Sequence, residues 1–465
     1  MFRTVELPLW LLVLILLFAA VTFLSHFLFP SVRWFFRRRM ERAVAELNKR
    51  LQRPIEPFKL ARRHDTIQRI VYDRSVLEAV TEHAREEGVP ETVALERARR
   101  YAREIVPSFS AMLYFSFATR AARWLSEKLY TVRVDEESGQ AIREIDPEAT
   151  VIFVMNHRSN MDYVLVTYLT AERSALSYAV GEWARVWPLS WLIRSIGGYF
   201  IRRKSRNALY RRVLARYVQM ATDGGVTQGM FPEGGLSLDG RMAQPKLGLL
   251  SYILAEFNPE EGRDVVFVPV ALNYDRVIED RVLTEAAASG ERRFRASVLQ
   301  SIWFPIRYAW RRWRKKAVRF GQAGVRFGEP MSLRAYSEDH VHVEVKGVAR
   351  ELLARVQAAI PVLPVPLIAW LVLRAGGAVS RAELERQVAG IQQHRQSSLM
   401  GQDAAAIVDT GIAGLTTRRV LVEGPEGVSL APGQDALAAY YANSVAHHFK
   451  AEPPEIPAKE NFATT

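Results

Sequence analysis

"VIFVMNHRSNMDYVLVTYL", residues 151–169, sets one histidine and one aspartate five positions apart between two apolar runs. Val151 to Met155 has the length of a buried strand, "NHRSN" reads as a turn, and the apolar residues from Met161 onward read as a helix. Four further apolar runs repeat this plan: Leu176 to Val180, Val226 to Phe231, Val265 to Leu272 and Val325 to Phe327, separated mostly by helical segments. Strands alternating with helices predict an α/β domain, a sheet with helices packed on it.

In such a sheet, ligand sites gather beyond the carboxyl ends of the strands, where His157 and Asp162 fall. Five positions along a regular helix turn two side chains about 140° apart. The pair meets only if His157 stays in the turn and Asp162 enters the first helical turn. There the helix N-terminus favours the carboxylate, and one imidazole nitrogen bonded to it leaves the other as a base. That is the histidine-carboxylate half of a triad without its serine. The spacing alone is a weak signal, and a capping aspartate beside a structural histidine fits it equally well.

Three later blocks add chemistry. "SIGGYFIRRKSRNALYRR" places Arg202 and Arg203 directly after an apolar run, and two glycines, Gly197 and Gly198, before it. Glycine permits close backbone approach, and a guanidinium fork matches a phosphate. For Arg211 and Arg212, a solvated helix face is the better reading. "GGVTQGMFPEGGLSLDGRMAQPKLGLL" runs a strand into Pro232, Glu233, Gly234 and Gly235, where a carboxylate beside two glycines can organise a ligand loop or merely a turn. "VVFVPVALNYDRVIE" reads as a buried strand, and Pro269 within it suggests an edge or a bulge.

At the N-terminus, Leu7 to Leu24 is an 18-residue stretch broken only by Pro8 and Thr22. That nearly spans a bilayer core, and without a small-x-small cleavage site it predicts an uncleaved anchor. Arg33, Arg37, Arg38, Arg39 and Arg42 follow it while Arg3 alone precedes it, which puts the bulk of the chain on the cytoplasmic side. The net charge of +13 favours anionic partners such as lipid headgroups, phosphorylated metabolites or nucleic acid. With no cysteine there is no disulfide framework and no thiol nucleophile.

Phe35 to about Leu129 reads as amphipathic helices, and Ile360 to Leu373, with three prolines, as a buried helix rather than a second span. "GGAVSRAELERQVAGIQQH" and "RRVLVEGPEGVSLAP" read as helix and hairpin, a winged-helix-like arrangement. "FPIRYAWRRWRKKAVRF", residues 304–320, mixes tryptophan with basic residues and reads as an interfacial element for anionic lipid. The expected divisions are an anchor at 1–32, a helical region at 33–140, a catalytic α/β domain at 141–345, a mostly helical C-terminal region at 346–450 and a loose tail at 451–465.

In this order and spacing, "HRSNMDY", "GGYFIRR", "FPEGG" with "GRMAQPKLG", and "VPVALNYDRVIE" resemble the four boxes of the glycerol-3-phosphate acyltransferase family, especially its bacterial membrane-bound form. "VRFGEPMSL" and "YYANSVAHHF" extend the resemblance over about Tyr101 to Phe449. It implies a central mixed sheet flanked by helices, at a bacterial inner membrane and facing the cytoplasm. The implied reaction carries a fatty acyl group from a coenzyme A or carrier-protein thioester to the 1-hydroxyl of glycerol 3-phosphate, giving lysophosphatidic acid. His157 would be the general base and Asp162 its orienter, with amides near the first box binding the oxyanion. No metal and no cofactor beyond the thioester co-substrate is implied.

By the same resemblance, Glu233, Gly234 and Gly235 would shape the acceptor site with Gly198 and Arg158, and Arg202 and Arg203 would take the phosphate. Where the family carries arginines after the two glycines of the third box, this chain has Leu236 and Leu238. Arg202, Arg203, Arg241 and Lys246 are then the candidate phosphate ligands. Lysophosphatidate, dihydroxyacetone phosphate or another lysolipid is the alternative acceptor. In a different class stands a membrane-tethered nucleic-acid-binding protein, against which the sparse basic face of "RAELERQVAGIQQHR" argues.

Overall fold

A computed structural model describes residues 8–17, 38–39, 41–135, 139–171, 174–202, 205–289, 319–340, 342–395 and 403–449. The chain divides into two compact units, Met1–Ile55 and Glu56–Thr465. In the first unit, residues 9–17 are helical with exposed apolar side chains. The rest of the expected anchor lies outside the described residues, as do residues 304–318 of the tryptophan-rich basic segment and the tail from 450 onward. Among the described residues no single helix is long and apolar enough to cross a membrane.

The second unit is built on an eight-stranded mixed sheet. Its strands are β1 (Thr131–Val134), β2 (Thr150–Met155), β3 (Ser177–Gly181), β4 (Tyr199–Ile201), β5 (Gln228–Met230), β6 (Val265–Tyr274), β7 (Gln322–Phe327) and β8 (Met331–Ser332). The order is β1-β7-β6-β2-β5-β3-β4, with β8 also paired to β6. β6, β2, β5, β3 and β4 run parallel, while β7 and β8 lie antiparallel to β6.

Both faces of this sheet are covered, which explains why β2 shows no polar alternation. Val151, Phe153 and Met155 pack on one face, in a core shared with the helices Met161–Thr170 and Pro364–Ala375. Ile152 and Val154 pack on the other, with the helices between Arg63 and Ile105, Ala208–Asp223 and Val345–Ala359. As expected, Pro364–Ala375 is a buried helix.

Pro269 corrects an expectation: its strand is central, not an edge. On one side Pro269 is in register with Val154 of β2. On the other, β8 pairs up to Phe267 and β7 begins at Val270, so the residue that cannot donate falls in the gap between two partners.

The C-terminal region contains the helices Arg381–Arg395 and Ala404–Thr416, the hairpin Leu421–Gly424 with Gly427–Leu430, and the helix Asp435–Asn443. Several of its residues share one hydrophobic core with β2, β6 and β7.

Candidate active site

The first and third boxes follow the carboxyl ends of parallel strands, the second contains β4 and ends just beyond it, and the fourth lies along β6 and just beyond it. His157 lies two residues beyond β2, Arg202 directly beyond β4, and Phe231 to Glu233 directly beyond β5. Between Met155 and His157, the Asn156 side chain extends the β2–β6 ladder: its Nδ2 donates to the Leu272 carbonyl at 2.9 Å and its Oδ1 accepts from the Leu272 amide at 2.7 Å. That double bond fixes where the turn departs from the sheet.

The structure brings His157 and Asp162 together. Asp162 is the second residue of its helix, and its Oδ2 lies 2.9 Å from His157 Nδ1. The same oxygen accepts from the amides of Arg158 at 2.7 Å and Ser159 at 3.0 Å, and Oδ1 accepts from the Tyr274 hydroxyl at 2.7 Å. A carboxylate oxygen at Nδ1 keeps the ring proton there, so Nε2 carries the lone pair. Among the described residues Nε2 has no hydrogen-bond partner. The imidazole is stacked on Phe231, centroids 4.2 Å apart, with Tyr163 edge-on at 5.4 Å. His157 is 3% exposed and Asp162 0%, so the pair is shielded from bulk water. Burial and the neighbouring Asp162 push the Tyr274 hydroxyl well above its ordinary pKa, which keeps it a donor.

Two further carboxylates hold the turn. Glu233 accepts from the His157 amide and the Ala243 amide, both at 2.8 Å, tying the third box to the first. Glu279 accepts from Ser159 Oγ at 2.8 Å, Asn160 Nδ2 at 3.0 Å and the Asn160 amide at 3.2 Å. Burial raises the pKa of both, against the pull of those donors. These bonds also bear on the oxyanion donors expected near the first box. Each amide from His157 to Asp162 already has an acceptor, the last two being Ser159 Oγ for Met161 and the Ser159 carbonyl for Asp162. None of these six amides is free for an oxyanion.

Beside the dyad lies a cleft of about 230 Å³, walled by Tyr163 and Phe231, which touch the His157 ring, and by Arg202, Arg211, Gly234 and Lys246. Gly234 has φ +66°, and a Cβ there would come 2.8 Å from Lys246 Cδ, so the lysine stem lies across the glycine. Arg202 is not a free fork: its Nε and Nη2 bind the two oxygens of Glu104 at 2.9 and 2.7 Å, and Arg185 joins the same carboxylate at 2.8 Å. The Glu104 hydrogen bonds raise the Arg202 pKa. Arg203 lies outside the described residues.

The remaining expected residues sit elsewhere. Arg158 is buried, with Nη1 on the Gly240 carbonyl and its guanidinium 4.9 Å from the Tyr440 ring centroid. Arg241 shares a small cavity with Arg158 and does not line the cleft beside the dyad. Gly198 serves packing, since a Cβ there would meet Ile193 at 2.6 Å. Gly235 is partly exposed, beyond the cleft wall. Leu236 and Leu238 pack against the hydrophobic core. Arg211, which the sequence suggested was merely solvated, is in the cleft wall. Asn156, Tyr274 and Glu279 were not singled out. For Tyr274 and Glu279 the available signal was polar groups closing the fourth box.

Residues 129–273 match the acyltransferase family model, and residues 307–452 match the glycerol-3-phosphate acyltransferase C-terminal region. The two matches follow one another along the chain, an acyltransferase region and then that C-terminal region, and support an acyltransferase. More particularly, the chain is similar to the glycerol-3-phosphate acyltransferases of Aeromonas hydrophila, at 28% identity over 84% of this chain and 50% of that one, and Shewanella loihica, at 27% over 83% and 50%. The resemblance carried by the four boxes is borne out. The chain spans about half the length of the curated relatives it matches. A solved structure, the 1-acyl-sn-glycerophosphate (LPA) acyltransferase of Thermotoga maritima, is similar over 52% of this chain and 79% of that one, at 22% identity and a TM-score of 0.29.

Proposed function

We propose that this chain transfers a fatty acyl group from a coenzyme A or carrier-protein thioester to the 1-hydroxyl of glycerol 3-phosphate, forming lysophosphatidic acid. The observation that carries the reading is the buried His157-Asp162 pair, its Nε2 unpartnered among the described residues, beside a cleft walled by Arg202, Arg211 and Lys246. In this reading Nε2 takes the hydroxyl proton as the oxygen attacks the thioester carbonyl, and Asp162 stabilises the imidazolium. The tetrahedral intermediate then expels the thiolate, which takes the proton from His157. A thioester brings its own leaving group, so no enzyme nucleophile is needed, in keeping with a chain without cysteine. The oxyanion falls to donors other than the amides of His157 to Asp162. Arg211 and Lys246 meet the acceptor phosphate as charges not committed to a carboxylate in the described hydrogen bonds, and Arg202 is held beside them by Glu104. Leu7 to Leu24 would tether the chain, with the catalytic unit on the cytoplasmic side.

The test offers the purified chain, in phospholipid vesicles, a labelled acyl thioester with glycerol 3-phosphate, lysophosphatidate or dihydroxyacetone phosphate, one acceptor at a time. Glycerol 3-phosphate should be the preferred acceptor. Preference for lysophosphatidate would overturn the acceptor while keeping the chemistry; failure of a folded protein to acylate any of them would overturn both.

A further inference from the structure

From Glu56 onward, the exposed tryptophan and phenylalanine side chains among the described residues gather on two elements. One is the helical stretch 111–129, which carries Met112, Phe117 and Trp124 at 68%, 56% and 50% exposure. The other is the segment 185–195, which carries Trp187 and Trp191 at 83% and 57%. Hydrogen bonds join them: the Ser108 amide donates to the Arg194 carbonyl at 3.2 Å and the Ser110 amide to the Ser195 carbonyl at 2.8 Å. Met112 therefore starts its helix beside the end of the helix that bears Trp191. Seven residues separate Phe117 from Trp124, which returns both to one helix face. Because Tyr114–Ala118 is a π-helical turn, Met112 to Trp124 spans somewhat less than the ~18 Å of twelve α-helical residues.

Charge frames these rings. Arg120 and Arg123 are exposed on the helical stretch, and Arg185 and Arg194 flank Trp187 and Trp191 in the chain. Burial and the nearby Arg185 charge lower the Arg194 pKa, so positive charge is crowded here even though Glu104 lies close. Tryptophan and arginine side by side on an exposed face suit the boundary between acyl chains and anionic headgroups, where an indole ring is apolar in body and polar at its edge. The surface also adjoins the cleft. The single Glu104 carboxylate binds Arg185, at the root of the Trp187 turn, and Arg202, in the cleft wall.

We infer that this face, from Met112 and Trp124 to Trp187 and Trp191, rests on an anionic lipid bilayer and turns the cleft mouth toward it. The inference deepens the function proposed above and rests on it, since an acyl product has to leave into a membrane. It assigns the contact to the folded unit rather than to the N-terminal apolar stretch alone.

Because the chain has no cysteine, single-cysteine variants report one place each. Trp191→Cys and Phe117→Cys, with Val422→Cys on the C-terminal hairpin as a control, are labelled in the full chain with an environment-sensitive fluorophore and reconstituted in phosphatidylglycerol-containing vesicles. The first two probes should shift to the blue, lose most of their quenching by aqueous iodide and gain quenching by a lipid-borne nitroxide, while the third behaves as in water. The shift should shrink in vesicles of phosphatidylcholine alone. Probes at 191 and 117 that match the one at 422 would overturn the inference. So would the same blue shift in detergent that grows with protein concentration, because a second copy of the chain would then cover the face. Acyl transfer measured on the same samples separates the two readings: activity with aqueous probes sinks only the surface, and embedded probes without activity sink only the function.

Discussion

Replacing Tyr274 by phenylalanine removes one oxygen from beneath the dyad. The hydroxyl donates to Asp162 Oδ1 at 2.7 Å, both residues are fully buried, and the ring keeps its packing on Tyr130 at 5.3 Å. A hydrogen bond to a charged group contributes about 1.5–3 kcal/mol. Asp162 keeps three donors on Oδ2, so the loss in stability should sit at the low end, about 1.5 kcal/mol. The carboxylate then faces Nδ1 without its lower support, and the part of that energy used to hold the imidazolium is lost in the transition state. About 1.4 kcal/mol is tenfold in rate, so kcat should fall roughly tenfold. KM for both substrates should stay within about twofold, because a residue outside the cleft wall removes no ground-state binding. Since Tyr274 titrates well above its ordinary range, the deficit should be the same from pH 6 to 9. Steady-state kinetics and urea unfolding of the folded variant provide the readout. Wild-type kcat, or a raised KM with kcat unchanged, would refute the reasoning.

Gly240→Ala should destabilise by about 3 kcal/mol or more in urea unfolding, because φ is +90° and the new Cβ would lie 1.9 Å from the Tyr440 carbonyl oxygen. Glu104→Gln unpairs two arginines that remain 36% and 35% exposed, so the cost should be about 1–2 kcal/mol rather than that of a fully buried pair, and KM for the phosphorylated acceptor should rise more than kcat falls. Burial lifts the Asp275 carboxyl to about 6, against the amides of Val365 and Gln322. The folded chain thus holds this proton more tightly than the unfolded one. The group favours folding most below about pH 4, and that benefit, roughly 3 kcal/mol, disappears as pH rises to about 6. Asp275→Asn should therefore lose this part of the stability change between pH 4 and 7, and an unchanged slope would contradict it.

The buried runs of β2, β3, β5, β6 and β7 were legible because a sheet covered on both faces writes itself as uninterrupted apolar sequence. β1 is mostly exposed and alternates polar with apolar residues, and β8 is two residues long, so neither shows an uninterrupted apolar run. His157 and Asp162 were legible because both lie within one turn, and the turn sits at a strand end. Their supports were not, because they depend on distant pairings. Tyr274 reaches Asp162 across 112 positions, Glu279 reaches Ser159 across 120, and Glu104 claims Arg202 across 98. Arg158 was misleading for the same reason: its neighbour in sequence is His157, but its neighbours in space are Gly240 and Tyr440. Pro269 misled because local chemistry says edge, while only the register reveals a gap between β8 and β7.

The central claim is that His157 Nε2, oriented by Asp162, takes the proton from the acceptor hydroxyl. The most direct measurement is kcat for acyl transfer to glycerol 3-phosphate by wild type and His157→Ala, each in vesicles and each verified as folded by circular dichroism. The account predicts that the variant loses at least about a hundredfold while still binding the thioester, as expected when a general base is removed. A variant within tenfold of wild type would contradict it.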